Sequence, residues 1–360
     1  MDTILRLSRV RRSRLFVAVA AGGFMAFVGT ADAVSLCADT AKKLHDDLQA
    51  ASDGGMYAGQ DVEINLVQGT YKTGTVTGNG PFAYSSTAAT GHIIIAGGWG
   101  TGCGTFLRDA SVTILDGGSQ TQVLNIQSKN GEVDVEFLTI QNGESATAGG
   151  GVAINTAVTG GTVYLSDNFI VNNHTASIGG GFAIDGAGNQ VDAIGNVVTG
   201  NSADGNYGAG FLFSRSGPQA SLEANTISRN TTTAAGGTGG VYCCGTPGFA
   251  SVEANILWQN TNYGIDMESP DYSFEYNDYG TVTGTLTPNS TNFSVNPQFA
   301  DPANGNFRLA GNSPLLGAYP AQSAPAYDLV GETYAFPTNG YFDVGAYEDT
   351  IFTDRGFESF

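Results

Sequence analysis

Two carboxylates, Asp266 and Glu268, stand two residues apart in the segment Ile265-Asp-Met267-Glu268. On a strand that offset puts both side chains on one face, ~6.6 Å apart at the backbone. Inverting glycoside hydrolysis uses such a pair at ~6.5–9.5 Å, one carboxyl protonating the leaving oxygen and the other activating water. With Asp271 the same pair could instead ligate Ca²⁺. Glu275 and Asp278 follow closely, and solvated acidic surface is the simplest reading of the whole patch. Asp185 and Glu268 occupy equivalent strand positions three repeats apart, which sets them ~14 Å apart and outside either glycosidase geometry. A lyase needs a base beside a charge neutraliser, and Arg215, next to Ser214, is the basic residue that abuts this column. His174, in Asn172-Asn-His-Thr175, reads as a solvated turn residue.

Aromatic residues crowd the same end of the repeat: Trp258, Tyr263, Tyr272, Tyr276 and Tyr279. Tyr and Trp faces suit sugar rings, so Trp258, Tyr242, Tyr263 and Asp185 are candidate glycan contacts, with Trp258 the one expected to be most exposed. Alternation turns Tyr276 and Tyr279 partly inward. The four cysteines are Cys37, Cys103, Cys243 and Cys244. Their spacing matches no zinc site and there are only three histidines, so disulfides are expected, with the first two placed to pin the N-terminal end and the adjacent pair able to form a vicinal bridge.

Arg6, Arg9, Arg11, Arg12 and Arg14 precede an apolar run from Leu15 to Val28 and the small-x-small triplet Ala31-Asp32-Ala33. This is the pattern of a secretory signal peptide over residues 1–33. The run is too short to span a bilayer comfortably, and no later stretch is long enough either. Of 14 basic and 33 acidic side chains, residues 1–33 carry five arginines and two aspartates, so the remaining chain has 9 against 31, a net charge of −22. Nucleic acid is therefore excluded as a partner, and polyanionic sugars are disfavoured unless Ca²⁺ bridges them.

The elements that must position these residues are repeats. Five segments align on an asparagine: Leu165-Ser-Asp-Asn168, Ala193-Ile-Gly-Asn196, Leu222-Glu-Ala-Asn225, Val252-Glu-Ala-Asn255 and Phe274-Glu-Tyr-Asn277, spaced 28, 29, 30 and 22 residues apart. The first four continue to a second asparagine, at 173, 201, 230 and 260. An earlier copy puts Leu138 in the asparagine position. Between copies runs a second strand, Val152-Ala-Ile-Asn155, Phe182-Ala-Ile-Asp185, Phe211-Leu-Phe-Ser214, Val241-Tyr-Cys-Cys244 and Ile265-Asp-Met-Glu268, mostly introduced by glycines. Period-2 alternation in a unit of ~30 residues describes a parallel β-helix, whose equivalent residues stack in columns ~4.8 Å apart. Asn168, Asn196, Asn225, Asn255 and Asn277 then have a structural task, supplying a tolerated left-handed bend and an amide that bonds the next coil. Glycine numbers 52, about twice the usual share, and many of these residues mark coil corners and strand starts. Residues 38–51 read as an amphipathic helix capping the N-terminal end.

With these repeats in place, Gly69-Thr-Tyr71, Gly97-Gly-Trp99 and Leu115-Asp-Gly117 resemble the opening coils of secreted bacterial right-handed parallel β-helix repeat proteins. Asn296-Pro-Gln-Phe-Ala-Asp301, Phe307-Arg-Leu-Ala-Gly-Asn-Ser-Pro314 and Phe342-Asp-Val-Gly-Ala-Tyr-Glu348 resemble the terminal segment called choice-of-anchor Q in such proteins. The resemblance implies an all-β, right-handed parallel β-helix in an extracellular, cell-surface or periplasmic setting; enzymes on this fold usually act on polysaccharides. Expected boundaries are a signal peptide at 1–33, an N-terminal cap at 34–60, coils at 61–290, a C-terminal capping segment at 291–348 and a sorting or anchoring tail at 349–360. The leading functional expectation is a monomeric scaffold that binds glycans or acts like an adhesin. The alternative is a polysaccharide lyase or glycoside hydrolase working in a groove on the helix face. Few basic residues and no short motifs of clustered aspartates favour binding over catalysis. No cofactor is required by the sequence, and Ca²⁺ is the one metal it suggests.

Overall fold

The structure is a computed structural model that describes residues 33–129, 132–156, 161–186, 190–213, 219–243, 248–320, 328–331 and 341–348. The leader through residue 32, Arg215, Cys244 and the tail from residue 349 lie outside the described residues.

One coil runs through Thr162–Ser166, Phe169–Val171, His174–Thr175 and Phe182–Gly186. Each strand pairs in parallel with its equivalents in the coils before and after: Val163 with Val133 and Val191, Ile170 with Ile140 and Val198, Ile184 with Ile154 and Phe213. Stacked, these strands form a first sheet of nine strands, second and third sheets of eight strands each, and a short sheet of four. The result is the parallel β-solenoid that the spacing predicts. The inward columns of Val, Ile, Leu and Phe make one continuous core from Ala38 to Leu286.

The N-terminal helix spans Ala41–Ala51, with the Thr40 hydroxyl accepting the Lys43 N–H at 3.2 Å as its cap. It buries Leu44, Leu48 and Ala51 against the first coils, as the amphipathic pattern requires. Val34–Ala38, just before it, is already the first strand of the nine-stranded sheet, paired with Val62–Val67. Cys37 on that edge strand is bonded to Cys103. Cys243 is disulfide-bonded as well.

The asparagines form two ladders. In the first, each Oδ1 accepts both the backbone N–H and the Nδ2–H of the asparagine one coil earlier, while each Nδ2 also donates to a strand carbonyl of the preceding coil. For Asn196 these bonds are 3.1 and 3.0 Å from Asn168, 2.9 Å to the Asn225 Oδ1 and 2.9 Å to the Leu165 carbonyl. A fully buried amide is thereby satisfied at every rung. The ladder continues beyond Asn277 to Asn292, a rung the sequence hides because its spacing drops to 15 residues. The second ladder joins Asn173, Asn201, Asn230 and Asn260 by the same bonds.

One expectation is corrected. The left-handed bend is made by the residue before each ladder asparagine, not by the asparagine: Asp167, Gly195, Ala224, Ala254 and Tyr276 all have positive φ. The bend aims the following side chain into the stack, so a ladder asparagine keeps ordinary backbone geometry and spends its side chain on bonding. At Gly195 (φ 68°) glycine takes this conformation without the Cβ penalty that Asp167, Ala224, Ala254 and Tyr276 bear at the equivalent positions.

The C-terminal segment returns along the outside of the second sheet. That sheet's outward column is Phe169, Val197, Thr226, Ile256 and Asp278. Tyr347, Ala346, Phe307 and Leu329 pack over the first two, and Leu309, Leu315 and Val344 over Ile256. The Ala346 N–H donates to the Thr226 Oγ1, and Arg229 donates to the Pro302 carbonyl. The Asp278 carboxyl, fully buried at the foot of this column, accepts the Val295 N–H at 2.9 Å through Oδ1, while its Oδ2 has no partner. Burial pushes its pKa up to about 7, against the weaker lowering effect of that N–H.

Asn196→Ala should cost ~3 kcal/mol or more in urea unfolding, because it strands two donors of Asn168 and the Leu165 carbonyl in the interior, whereas Asn292→Ala at the ladder's end should cost less. A folded-state pKa raised above the unfolded one means that the stability due to Asp278 is complete below pH ~4 and is lost as pH rises through about 7. Melts at pH 5 and pH 8.5 should therefore differ in the wild type, and Asp278→Asn should remove that component of the difference.

Candidate functional site

The outward columns of the third sheet fall as the repeat predicts. One runs Ala153, Ala183, Leu212, Tyr242, Asp266 and Thr283, and the next begins Asn155, Asp185. Two consequences follow for the predicted site residues. Tyr242 and Asp266 are direct neighbours on adjacent coils, and Asp185 belongs to a coil well up the column from Glu268, so these two carboxylates do not act as a pair.

The aliphatic part of the first column is covered from the side by loop residues Ala148 and Ile178. Tyr207 occupies the corresponding loop one coil on. Its ring lies 4.4 Å from that of Tyr242 at 45°, and it is 40 % exposed while Tyr242 is buried. These loops approach the sheet closely: at Gly179 (φ 69°) a Cβ would come within 2.8 Å of the Ala183 Cβ, which explains why glycine recurs at the turn. The stacked loops and the sheet thus bound a shallow strip that is aliphatic upstream and aromatic at Tyr207 and Tyr242. It then becomes acidic at Asp266 and Glu268.

Electrostatics at the acidic end follow from this packing. Asp266 is half-buried and Glu268 exposed. Burial, and then the Glu268 charge, push the Asp266 carboxyl above its usual range, against a Thr238 hydroxyl 3.5 Å from Oδ2. Burial, and then the Glu268 carboxylate that its hydroxyl faces, push the Tyr242 phenol up as well. Among the described residues neither Asp266 nor Glu268 has a Lys, Arg or His ion-pair partner. Nor does any group of three or more His, Cys, Asp or Glu among those residues converge on a metal position, so Asp266, Glu268 and the exposed Asp271 do not assemble into one.

Trp258 and Tyr263 lie elsewhere: Trp258 ends the second-sheet strand Ile256–Trp258, and Tyr263 is on the turn that leads from it to the third sheet. Trp258 is half-buried and packs at the edge of the cluster around Leu309, Leu315 and Val344, so it is not the exposed aromatic the sequence suggests; beside the third-sheet strip that place is taken by Tyr207. Trp258 also borders a pocket of about 210 Å³, lined by Leu257, Gln259, Asn260, Gly264, Gly280 and Thr281 as well. The pocket exists because one coil is cut short: residues 258–264 separate Leu257 from Ile265, but only Gly280 and Thr281 separate their register partners Tyr279 and Val282. The remaining aromatics are used in packing, Tyr272 and Tyr279 against the core and Tyr276 against Tyr319.

His174 is not a free turn residue. It lies in the short sheet, with Nδ1 2.9 Å from the Ser202 Oγ and Nε2 3.7 Å from Glu144 and 3.9 Å from Asp204. Those carboxylates are too far for the hydrogen bond that orients a catalytic histidine, which leaves a polar surface cluster. Tyr207 is the functional candidate that the repeat alone does not reveal, because it stands in an irregular loop whose only sequence signal is the following Gly208.

Among protein families, one described as a right-handed beta helix region matches residues 95–278. No curated protein and no solved structure matches the chain.

Replacing Glu268 with Gln removes the like charge beside Asp266. The Asp266 titration midpoint, read from its carboxyl carbon resonance, should fall; an unchanged midpoint would mean that burial alone sets it.

Proposed function

The chain belongs to the right-handed β-helix family, and from that premise we propose that it is an exported scaffold that binds glycans along the outer face of its third sheet. The observation that carries this reading is the Tyr207–Tyr242 pair directly upstream of Asp266 and Glu268. Sugar recognition combines an apolar ring face with a rim of hydroxyls, and the strip offers both complements: aromatic surface for the first and carboxylate acceptors for the second. A rigid solenoid holds such contacts in a straight row at ~4.8 Å intervals, which suits a linear chain bound through several weak contacts. The concentration of carboxylates favours neutral over anionic sugars.

Export is supported by the arginine-rich, apolar leader ending in Ala31-Asp32-Ala33, and the Cys37–Cys103 disulfide fits an oxidising compartment. Among the described residues no helix is long and apolar enough to cross a membrane. The resemblance of the segments within 296–348 to choice-of-anchor Q supports display at a cell surface. A second reading, hydrolysis by Asp266 and Glu268, is favoured by one observation: the raised Asp266 carboxyl beside a second carboxylate is the charge state a general acid needs.

A glycan array run in parallel with a reducing-sugar assay separates the two. Binding without product release is expected, weakened about fivefold or more by Tyr242→Leu, a side chain that Leu212 shows the column accepts. Sugar release that disappears in Asp266→Ala would replace binding with hydrolysis, and an array without any hits would sink the proposal.

A further inference from the structure

The two asparagine ladders end differently. The first is closed by Asn292, whose Oδ1 takes the Asn277 backbone N–H at 3.0 Å and its Nδ2–H at 3.2 Å. The second stops at Asn260. There Nδ2 donates to the Ile227 carbonyl at 2.8 Å, but no described residue accepts its second hydrogen or the Asn260 backbone N–H. At the previous rung both of these donors, on Asn230, meet a single amide oxygen at 3.0 Å. The coil shortened between Tyr279 and Val282 removes the residue that would have supplied it, and the pocket beside Trp258 opens at that place.

Resting on the glycan-binding reading, we propose that this pocket is a separate saccharide subsite selective for an N-acetylated sugar, whose acetamido carbonyl oxygen accepts both Asn260 donors and so continues the ladder. An acetamido group is the same functional group as an asparagine side chain, so the ligand would offer what every earlier rung offers. The ladder holds these donors rigidly in place before the ligand arrives, which reduces the ordering cost of binding. Trp258 would supply a face for the acetamido methyl and the sugar ring, and Gln259, which also lines the pocket and accepts the Arg229 Nε–H at 3.4 Å through Oε1, an amide donor for a hydroxyl. The lining carries no charged side chain, which suits a neutral ligand. At about 210 Å³ the pocket is smaller than the ~300–1,000 Å³ that hold drug-sized molecules, and it matches one sugar residue at the end or side of a chain.

The test is titration of the full chain with a trimer of β-linked N-acetylglucosamine and with the equivalent glucose trimer. The N-acetylated trimer should bind about tenfold more tightly, the effect of two hydrogen bonds to a preorganised amide. Gly280→Leu should abolish that preference with the ladder intact, since a Cβ at Gly280 meets only the Leu257 carbonyl at 3.8 Å and Gly280 itself lines the pocket that the added side chain would crowd. In the unsubstituted protein, the Asn260 side-chain and backbone amide resonances should both move on adding the N-acetylated trimer, a readout that does not depend on any variant folding. Equal affinity for the two trimers, or unmoved Asn260 resonances, would overturn the inference. Binding that survives Gly280→Leu but is lost in Tyr242→Leu would overturn it while leaving the third-sheet reading standing. Absence of binding to any saccharide would remove both.

Discussion

A solenoid must turn a corner inside its own core without leaving backbone groups unbonded, and in this protein the asparagine ladders meet that constraint. An interior ladder asparagine such as Asn196 takes part in five hydrogen bonds that span neighbouring coils, so no corner is satisfied by its own coil alone. That dependence transmits register. If one coil slipped by a residue, its amide would leave the stack and its strands would turn their apolar side chains outward. The columns on the third sheet, and therefore the alignment of Tyr242 with Asp266, are held by the same bonds that bury the asparagines.

The constraint also accounts for the ends of the molecule. Wherever a ladder stops, one amide and one backbone N–H lose their acceptor. The first ladder borrows Asn292, and Phe293 then pairs with Asp278, so the chain makes the start of one more coil before it leaves. From there it runs back over the outer face of the second sheet, where Phe169, Val197 and Ile256 would otherwise present an apolar stripe to water. Covering that face buries Asp278, and the cost of desolvating it falls on the pH range near neutrality.

What could be read from the sequence is what repeats. The inward columns, the ladder from Asn168 to Asn277, the outward order Leu212, Tyr242, Asp266 and the N-terminal helix all follow from periodicity, because stacking converts equal spacing into spatial adjacency. Departures from the repeat were not legible. Asn292 is hidden by its short spacing, and Tyr207 by its irregular loop. The cover over the second sheet joins Ala346 to Thr226, residues 120 apart in the chain, which no local pattern encodes. The left-handed residue was misplaced by one position for a related reason: asparagine is the residue type that tolerates the bend, yet here its side chain is needed for the ladder, and its predecessor bends instead.

These departures are also where the functional candidates collect. A perfect repeat presents the same surface at each coil and distinguishes no position along its length. The change from Ala and Leu to Tyr along one column, the exchange of Ile178 for Tyr207 in the flanking loops, and the turn shortened after Tyr279 each break that equivalence at the C-terminal half of the helix. A scaffold that selected only for stability would gain nothing by placing Glu268 where its charge pushes the half-buried Asp266 carboxyl up, or by leaving the second ladder without an acceptor at half-buried Asn260. The first is unfavourable as packing, and both are useful as recognition chemistry, which is the physical reason to seek ligands at these two places rather than along the regular coils.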